Sequence, residues 1–453
     1  MLHAKRVDAT QGSIIKQILI YSAPLILSTL IQTLFNLVDI AVLGNMADEQ
    51  AVASVGATAS IVALIVNSFI GLASGTKINL ARQIGAKDEE QIKKTVDTSL
   101  ITAVLLGAVI AILGNIFAPW FLEITKCPAD CMSDAVLYIR IYISAAPIIL
   151  LYNYGSAILT TSGDTQRPLY YILASGALNV VLNIILCLIL PQKVAAVAIA
   201  TAASQLLGAT LVILRLRRAD GPVKVVLSKL RMNFRAFIKI IRLGLPVSFT
   251  HALFPLGTLQ IQAAVNSYGV SAIAGSSAAT TIQNIVSSFS APFGTAALTF
   301  VGQNIGARKP ERVSRSFTHA LWLAALIGGT VGVFFYVSGP FWLSLILGDN
   351  PSAIEFAMVR MKYVSLFYCI ASINGVLSHT IQAFGYPFIS TLNSIFSVLI
   401  FRIIWMAFVY PVLHTFSGLM FCFTVSWSIN LLLNIIIFTV IKKRYNNGLC
   451  KEL

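Results

Sequence analysis

Two prolines, Pro24 and Pro246, head runs that begin the same pattern of six apolar spans, so the chain can be read twice. The first copy runs from about Ile14 to Arg215 and the second from about Phe237 to Lys442. APLILSTLIQTLFNLVD (23–39) opens one and LPVSFTHALFPLGTLQI (245–261) the other. Further on, ASIVALIVNSF (59–69) aligns with ATTIQNIVSSF (279–289), and QIGAK (83–87) with NIGAR (304–308). The offsets are 222, 220 and 221 positions, so both halves must fold into nearly the same set of elements. A membrane protein of two like halves is most often a transporter, because lobes that rock against each other open one site to either side in turn.

Those elements cross a membrane. Only 11% of residues are charged and 57% are hydrophobic, with a mean hydropathy of +0.83. A soluble domain of this size needs a more highly charged surface. The apolar stretches reach the length of about 20 residues that a spanning helix requires, and none alternates like a barrel strand of about 10 residues. Twelve spans are predicted, at 14–44, 52–76, 95–118, 135–160, 168–190, 194–214, 237–265, 271–300, 314–338, 355–383, 388–413 and 416–441. The expected fold class is an all-α integral membrane protein of twelve transmembrane helices in two six-helix lobes. A short lead (1–13) precedes a first lobe (14–215), a basic linker (216–236), a second lobe (237–442) and a tail (443–453). The lead runs straight into the first span with no cleavable signal pattern.

Charge placement sets the expected orientation. With the N-terminus inside, 26 of the 32 basic residues fall on inner segments, nine of them between Arg215 and Arg242. Outer loops hold Asp48, Glu49, Glu123, Asp130, Asp134 and Asp349 with few bases. This positive-inside bias puts both termini in the cytoplasm of a multi-pass protein of the inner cell membrane. It also accounts for the net charge of +15 without nucleic acid, since the bases are spread over loops of one face with no aromatic platform. The long inner loop, 215–235, reads either as a hinge with an amphipathic part (Val223–Phe237) on the lipid surface or as a plain topology signal. Each half has an even number of spans, so the repeat is parallel, about an axis along the membrane normal.

Inside apolar spans every polar group needs a reason, and an ionisable one is a functional candidate by default. Asp39 is the carboxylate set deepest in a clean apolar span, and Gln32, Asn36 and Asp39 share one helix face by their spacing. Asn179 and Asn183 stand four apart on the fifth span, and Thr201, Ser204, Gln205 and Gly208 form a face of the sixth. Three such stripes in one half point to a common polar cavity, since lipid would leave them unsatisfied. A carboxyl in a low-dielectric pocket holds its proton more tightly, and the amide and hydroxyl oxygens of Asn179, Asn183 and Thr201 are hard ligands that suit alkali cations. Asp39 therefore reads as a carrier of H+ or Na+, against the alternative of a packing hydrogen bond between helices.

The second half offers no carboxylate in such a place. Its polar candidates include His251, Gln283, Asn284, Asn374, His379, Asn393 and Arg402, of which Gln283, Asn284 and His379 join Gln32, Asn36 and Gln205 as cavity-lining candidates. The histidines read mainly as packing residues, and Arg402 either snorkels outward or lines the cavity. No nucleotide-binding loop, zinc-hydrolase signature or nucleophile elbow is present, so neither ATP-driven transport nor an enzyme is expected, and no cofactor. Cys127 and Cys131 share an outer loop, and their spacing allows a disulfide in an oxidising exterior.

These residues together resemble the multidrug and toxic compound extrusion family, the MATE transporters. The resemblance covers nearly the whole chain. It rests on Pro24 and the run Phe35–Asp39 with Gly44, on Ala81–Lys87, on the turn Ser162–Pro168, on Asn179 to Asn183, and on Ala195–Thr201. It implies two six-helix lobes in a V around a central cavity. The implied function is export of organic cations or amphiphilic drugs in exchange for H+ or Na+, by a protein expected to act as a monomer in the bilayer. In the family an acidic residue of helix 1 is the coupling site, and Asp39 matches it, as Asn179 and Thr201 match its neighbours. Asn183 stands where many members carry Asp, which weakens a sodium site. Phe254 occupies the place of a helix-7 Glu used by one subgroup, which argues against a second-lobe cation site.

A lipid-linked oligosaccharide flippase of the same superfamily is the nearest rival, but it calls for a cavity rich in Arg and Lys. A membrane enzyme would need a cluster of titratable residues at one face, and a channel would not need a parallel repeat. Aligned on the two prolines, Asp39 faces Ile261, and Asn179 and Asn183 face Phe401 and Trp405. The helices are thus duplicated while the expected coupling chemistry is not.

Overall fold

A computed structural model describes residues 7–46 and 49–448. Within its helices, the side chains of Asn36, Leu37, Asp39–Ala41, Leu43, Asn45, Glu49, Phe254–Leu256 and Leu259 lie outside the description. The first half contains α1 (Ile14–Met46), α2 (Glu49–Ala86), α3 (Glu89–Ile124), α4 (Ala129–Ser144), α5 (Ala146–Thr161), α6 (Gln166–Ile189) and α7 (Lys193–Arg217). The second contains α8 (Phe234–Asn266), α9 (Val270–Gly306), α10 (Pro310–Val337), α11 (Gly339–Leu347), α12 (Pro351–Val364), α13 (Tyr368–Ala383), α14 (Pro387–Ser394), α15 (Phe401–Ile404), α16 (Tyr410–Leu413) and α17 (Phe416–Asn446). No strand occurs among the described residues.

Among the described residues, ten helices are long and apolar enough to cross a membrane, and twelve spans result when each of two bent pairs is one span. The bent pairs are α4 with α5 and α12 with α13, each turned by 46°. They occupy the same place in the two halves, so the repeat extends to an interruption. Helix is the form that satisfies every backbone group within its own segment, which is why long apolar runs adopt it in lipid.

The chain packs as two compact units, and the division between them does not follow the loops. Unit 1 is Met1–Val7 with Leu27–Ser248, and unit 2 is Asp8–Ile26 with Phe249–Leu453. Sequence alone places the boundaries at 14–215 and 237–442; packing moves them inside α1 and α8, two residues after Pro24 and Pro246. Within unit 1, the first half of α8 docks on α2 so closely that a Cβ at Gly75 would overlap the carbonyl oxygen of Ile240. Ser248 Oγ donates to the Ser68 carbonyl at 3.0 Å in the same seam. Within unit 2, the first half of α1 docks on α9 in the corresponding way. Tyr21 OH and Thr299 Oγ1 share a hydrogen bond at 2.9 Å, and the Tyr21 and Phe300 rings meet edge to face at 5.6 Å.

Part of the basic segment between α7 and α8 packs against protein. Val223 and Val225 are buried in the core of unit 1 with Ile92, Leu216 and Val96. Lys93 Nζ donates to the Lys224 carbonyl at 2.8 Å, and Asn233 N–H donates to Thr98 Oγ1 at 3.1 Å. Apolar side chains that can reach a protein core are desolvated there, and here α3 supplies it.

Candidate functional site

The polar residues of unit 1 that share helix faces in sequence do come together. Asn179 and Asn183 are buried on α6, and Asn183 Nδ2 donates to Asn179 Oδ1 at 3.2 Å. Asn179 Nδ2 lies 3.5 Å from Thr201 Oγ1 on α7, a long contact, while the Thr201 hydroxyl donates to the Val197 carbonyl at 3.0 Å. Ser204 is buried and Gln205 half-buried on the same face of α7. This is a neutral, oxygen-bearing patch inside an apolar bundle.

What brings α1 to this patch is an aromatic ring on a glycine. Phe35 lies against Gly176 so tightly that a Cβ there would overlap Phe35 Cε2. As first and fifth spans, α1 and α6 run in the same direction. Asp39, four residues past Phe35, lies about 6 Å further along α1. Asn179 and Asn183 lie about 4.5 and 10.5 Å past Gly176 along α6. The backbone at Asp39 is therefore level with the two asparagines. The side chains of Asp39 and Asn36 lie outside the described residues, and Gln32 is exposed.

Unit 2 does not repeat the patch. Ile261, the counterpart of Asp39, is buried in its apolar core, and the tilted rings of Phe401 and Trp405 meet with centroids 5.9 Å apart where Asn179 and Asn183 would be. Its second-half candidates scatter. Gln283 Oε1 accepts from Arg360 Nη2 at 3.5 Å, Asn284 is exposed, and His379 Nδ1 donates to the Gly375 carbonyl at 2.8 Å within its own helix. Asn374 and Asn393 belong to a buried amide network. Asn393 Nδ2 donates to Asn430 Oδ1 and Asn434 Oδ1, each at 2.8 Å, and Asn434 Nδ2 donates to Asn374 Oδ1 at 3.1 Å. This network ties α13, α14 and α17 together. Asn430 and Asn434, four apart in an apolar span, are the signal by which sequence could have found it. Among the described residues, no group of three or more His, Cys, Asp or Glu side chains is placed to hold a metal ion. Cys127 and Cys131 are both free thiols.

The MatE family model matches residues 24–185 and again 246–408, so the match itself is duplicated at the offset seen in the sequence. The chain belongs to the MatE family. Among curated relatives, this MatE protein is 28% identical over 397 residues to "Probable multidrug resistance protein YoeA" of Bacillus subtilis, covering 86% of this chain and 85% of that one. It is 24% identical to "Probable multidrug resistance protein NorM" of Thermotoga maritima over 84% of this chain and 83% of the relative. A third relative, 25% identical over 63% of this chain and 64% of its own, is the "FAD transporter" of Shewanella oneidensis. Its fold matches a solved structure described as the outward-facing conformation of a multidrug resistance MATE family transporter, with a TM-score of 0.87, 23% identity and 98% coverage of both chains. The two-lobe helical fold expected from the sequence is thus that of the MATE transporters.

Proposed function

We propose that this protein is a secondary antiporter that exports organic cations or amphiphilic drugs in exchange for H+ or Na+, with Asp39 as the coupling residue. The observation that carries the reading is the patch of buried Asn179 and Asn183 with half-buried Thr201, level with the Asp39 backbone through the Phe35 and Gly176 contact. A carboxylate in such surroundings exchanges a proton for a cation because desolvation favours its neutral form and the amide oxygens favour a hard cation. Alternating access is the mode expected of a transporter built from two like halves. The names of relatives at 24% and 28% identity support drugs as substrates. Positive-inside loops support an inner-membrane protein with both termini in the cytoplasm.

Vesicles containing the purified protein test the reading. A cationic dye should leave under an imposed proton gradient or an imposed sodium gradient, applied one at a time. Asp39→Asn should abolish that coupled efflux while the protein remains folded in the membrane. Full efflux by the variant would remove Asp39 from the mechanism.

A further inference from the structure

Two buried arginines of unit 2 have no part in coupling at Asp39. Arg360 lies nine residues into α12 and is 7% exposed; Arg402 on α15 is 1% exposed. Their guanidinium carbons lie 5.3 and 4.4 Å from the centroid of the same ring, Phe423 on α17. Arg360 donates to Ser276 Oγ and, at 3.5 Å, to Gln283 Oε1, while Arg402 Nε donates to Ser426 Oγ at 3.4 Å. Arg360 Nε is buried without a hydrogen-bond partner among the described residues. The four ion pairs among the described residues all lie in unit 1, and none involves Arg360.

A ring face and neutral oxygens offset part of the cost of burying Arg360, but a desolvated guanidinium with Nε unpartnered needs more than that. Buried bases in spanning helices are functional candidates by default. The local backbone is also unusual. Two π-helical stretches, Ile395–Ile400 and Trp405–Val409, flank the four-residue α15 that carries Arg402. Such wide turns re-aim side chains and are frequent at functional sites.

We propose that the second lobe binds a small anion, a halide or a carboxylate group, at the buried Arg360 guanidinium beside Phe423, with Arg402 adding positive charge at the same ring. Planar guanidinium donors suit either ligand. The burial of Arg360 means the anion reaches it only when helices of this unit part. The source is either free chloride or the carboxylate of a transported amphiphile. The proposal is independent of which cation drives efflux.

The test uses the full-length protein in detergent at constant ionic strength, exchanging sodium gluconate for sodium chloride. Chloride should raise the melting temperature saturably, by about 1–3 °C, and should broaden the 35Cl NMR line of the wild type. Arg360→Gln should abolish both effects. In vesicles, efflux of a carboxylate-bearing dye is compared with that of a cationic dye. Loss confined to the carboxylate-bearing dye in Arg360→Gln supports the site and assigns the anion to the substrate; a chloride effect alone supports it and assigns a free ion. Absence of chloride binding by the wild type, together with carboxylate-dye efflux unchanged in Arg360→Gln, overturns the proposal. So does a chloride response that survives in the variant. Should Arg360→Gln fail to fold, the NMR line of the wild type and its competition by acetate still decide.

Discussion

Lys87 and Arg308, 221 positions apart, end the second helix of each half in the same left-handed backbone conformation, with φ of 56° and 54°. The hydrogen bonds also correspond. Lys87 N–H donates to the Ile84 carbonyl and Asp88 N–H to that of Gln83; Arg308 N–H donates to Ile305 and Lys309 N–H to Asn304. This is a Schellman cap, normally given to glycine. A basic side chain in that place costs roughly 1 kcal/mol of backbone strain and recovers part of it at the negative end of the helix dipole.

From that geometry, Lys87→Val and Arg308→Val should each lower the thermal midpoint of the purified protein, and by comparable amounts. A β-branched residue tolerates positive φ least. Glycine at either position should be close to neutral in the same melt, because relief of strain offsets the lost charge. A large drop with glycine would show that the charge, and not the backbone, governs the cap.

The contact of Phe35 with Gly176 gives a prediction about activity. Gly176→Val places side-chain atoms where the Phe35 ring now lies, an overpacking cost of about 1–3 kcal/mol. It should move α1 away from Asn179 and Asn183 and reduce efflux at least tenfold with the protein still present in the membrane. Phe35→Ala in the same chain should restore part of the rate. Dye efflux from the single and double variants checks this, and a double variant no better than Gly176→Val would count against positioning by this contact.

Asn183 gives a prediction about the ion. A second carboxylate beside Asp39 should favour sodium by adding charge to the hard-ligand set. Asn183→Asp should therefore lower the sodium concentration that half-maximally drives efflux, by about tenfold, which corresponds to about 1.4 kcal/mol. An unchanged sodium midpoint would place the cation elsewhere.

Cys127, between α3 and α4, gives a pH dependence. Partial burial, and secondarily the neighbouring Cys131, push its thiol pKa up from the ordinary value. Only the thiolate reacts, so alkylation of Cys127 by iodoacetamide should be slower at pH 7.5 than that of an exposed thiol. It should keep rising with pH beyond the point where an ordinary thiol levels off. Mass spectrometry of tryptic peptides measures both rates.

Local features settled much of this protein before any packing was known. Apolar length and backbone self-satisfaction dictate helices wherever the chain enters lipid, so the spans and their duplication, the alignment of QIGAK with NIGAR included, can be read from sequence. The pairing of Asn179 with Asn183 is local too, being one helical turn apart. Contacts between helices distant in sequence are different. Nothing near Gly75 announces Ile240, and nothing near Gln283 announces Arg360. The docking of Val223 and Val225 under α3, the exchange of the first halves of α1 and α8, and the meeting of Arg360 and Arg402 at Phe423 were decided by side-chain fit. That fit depends on three-dimensional neighbours, while the tendency to form and insert a helix depends on each segment alone.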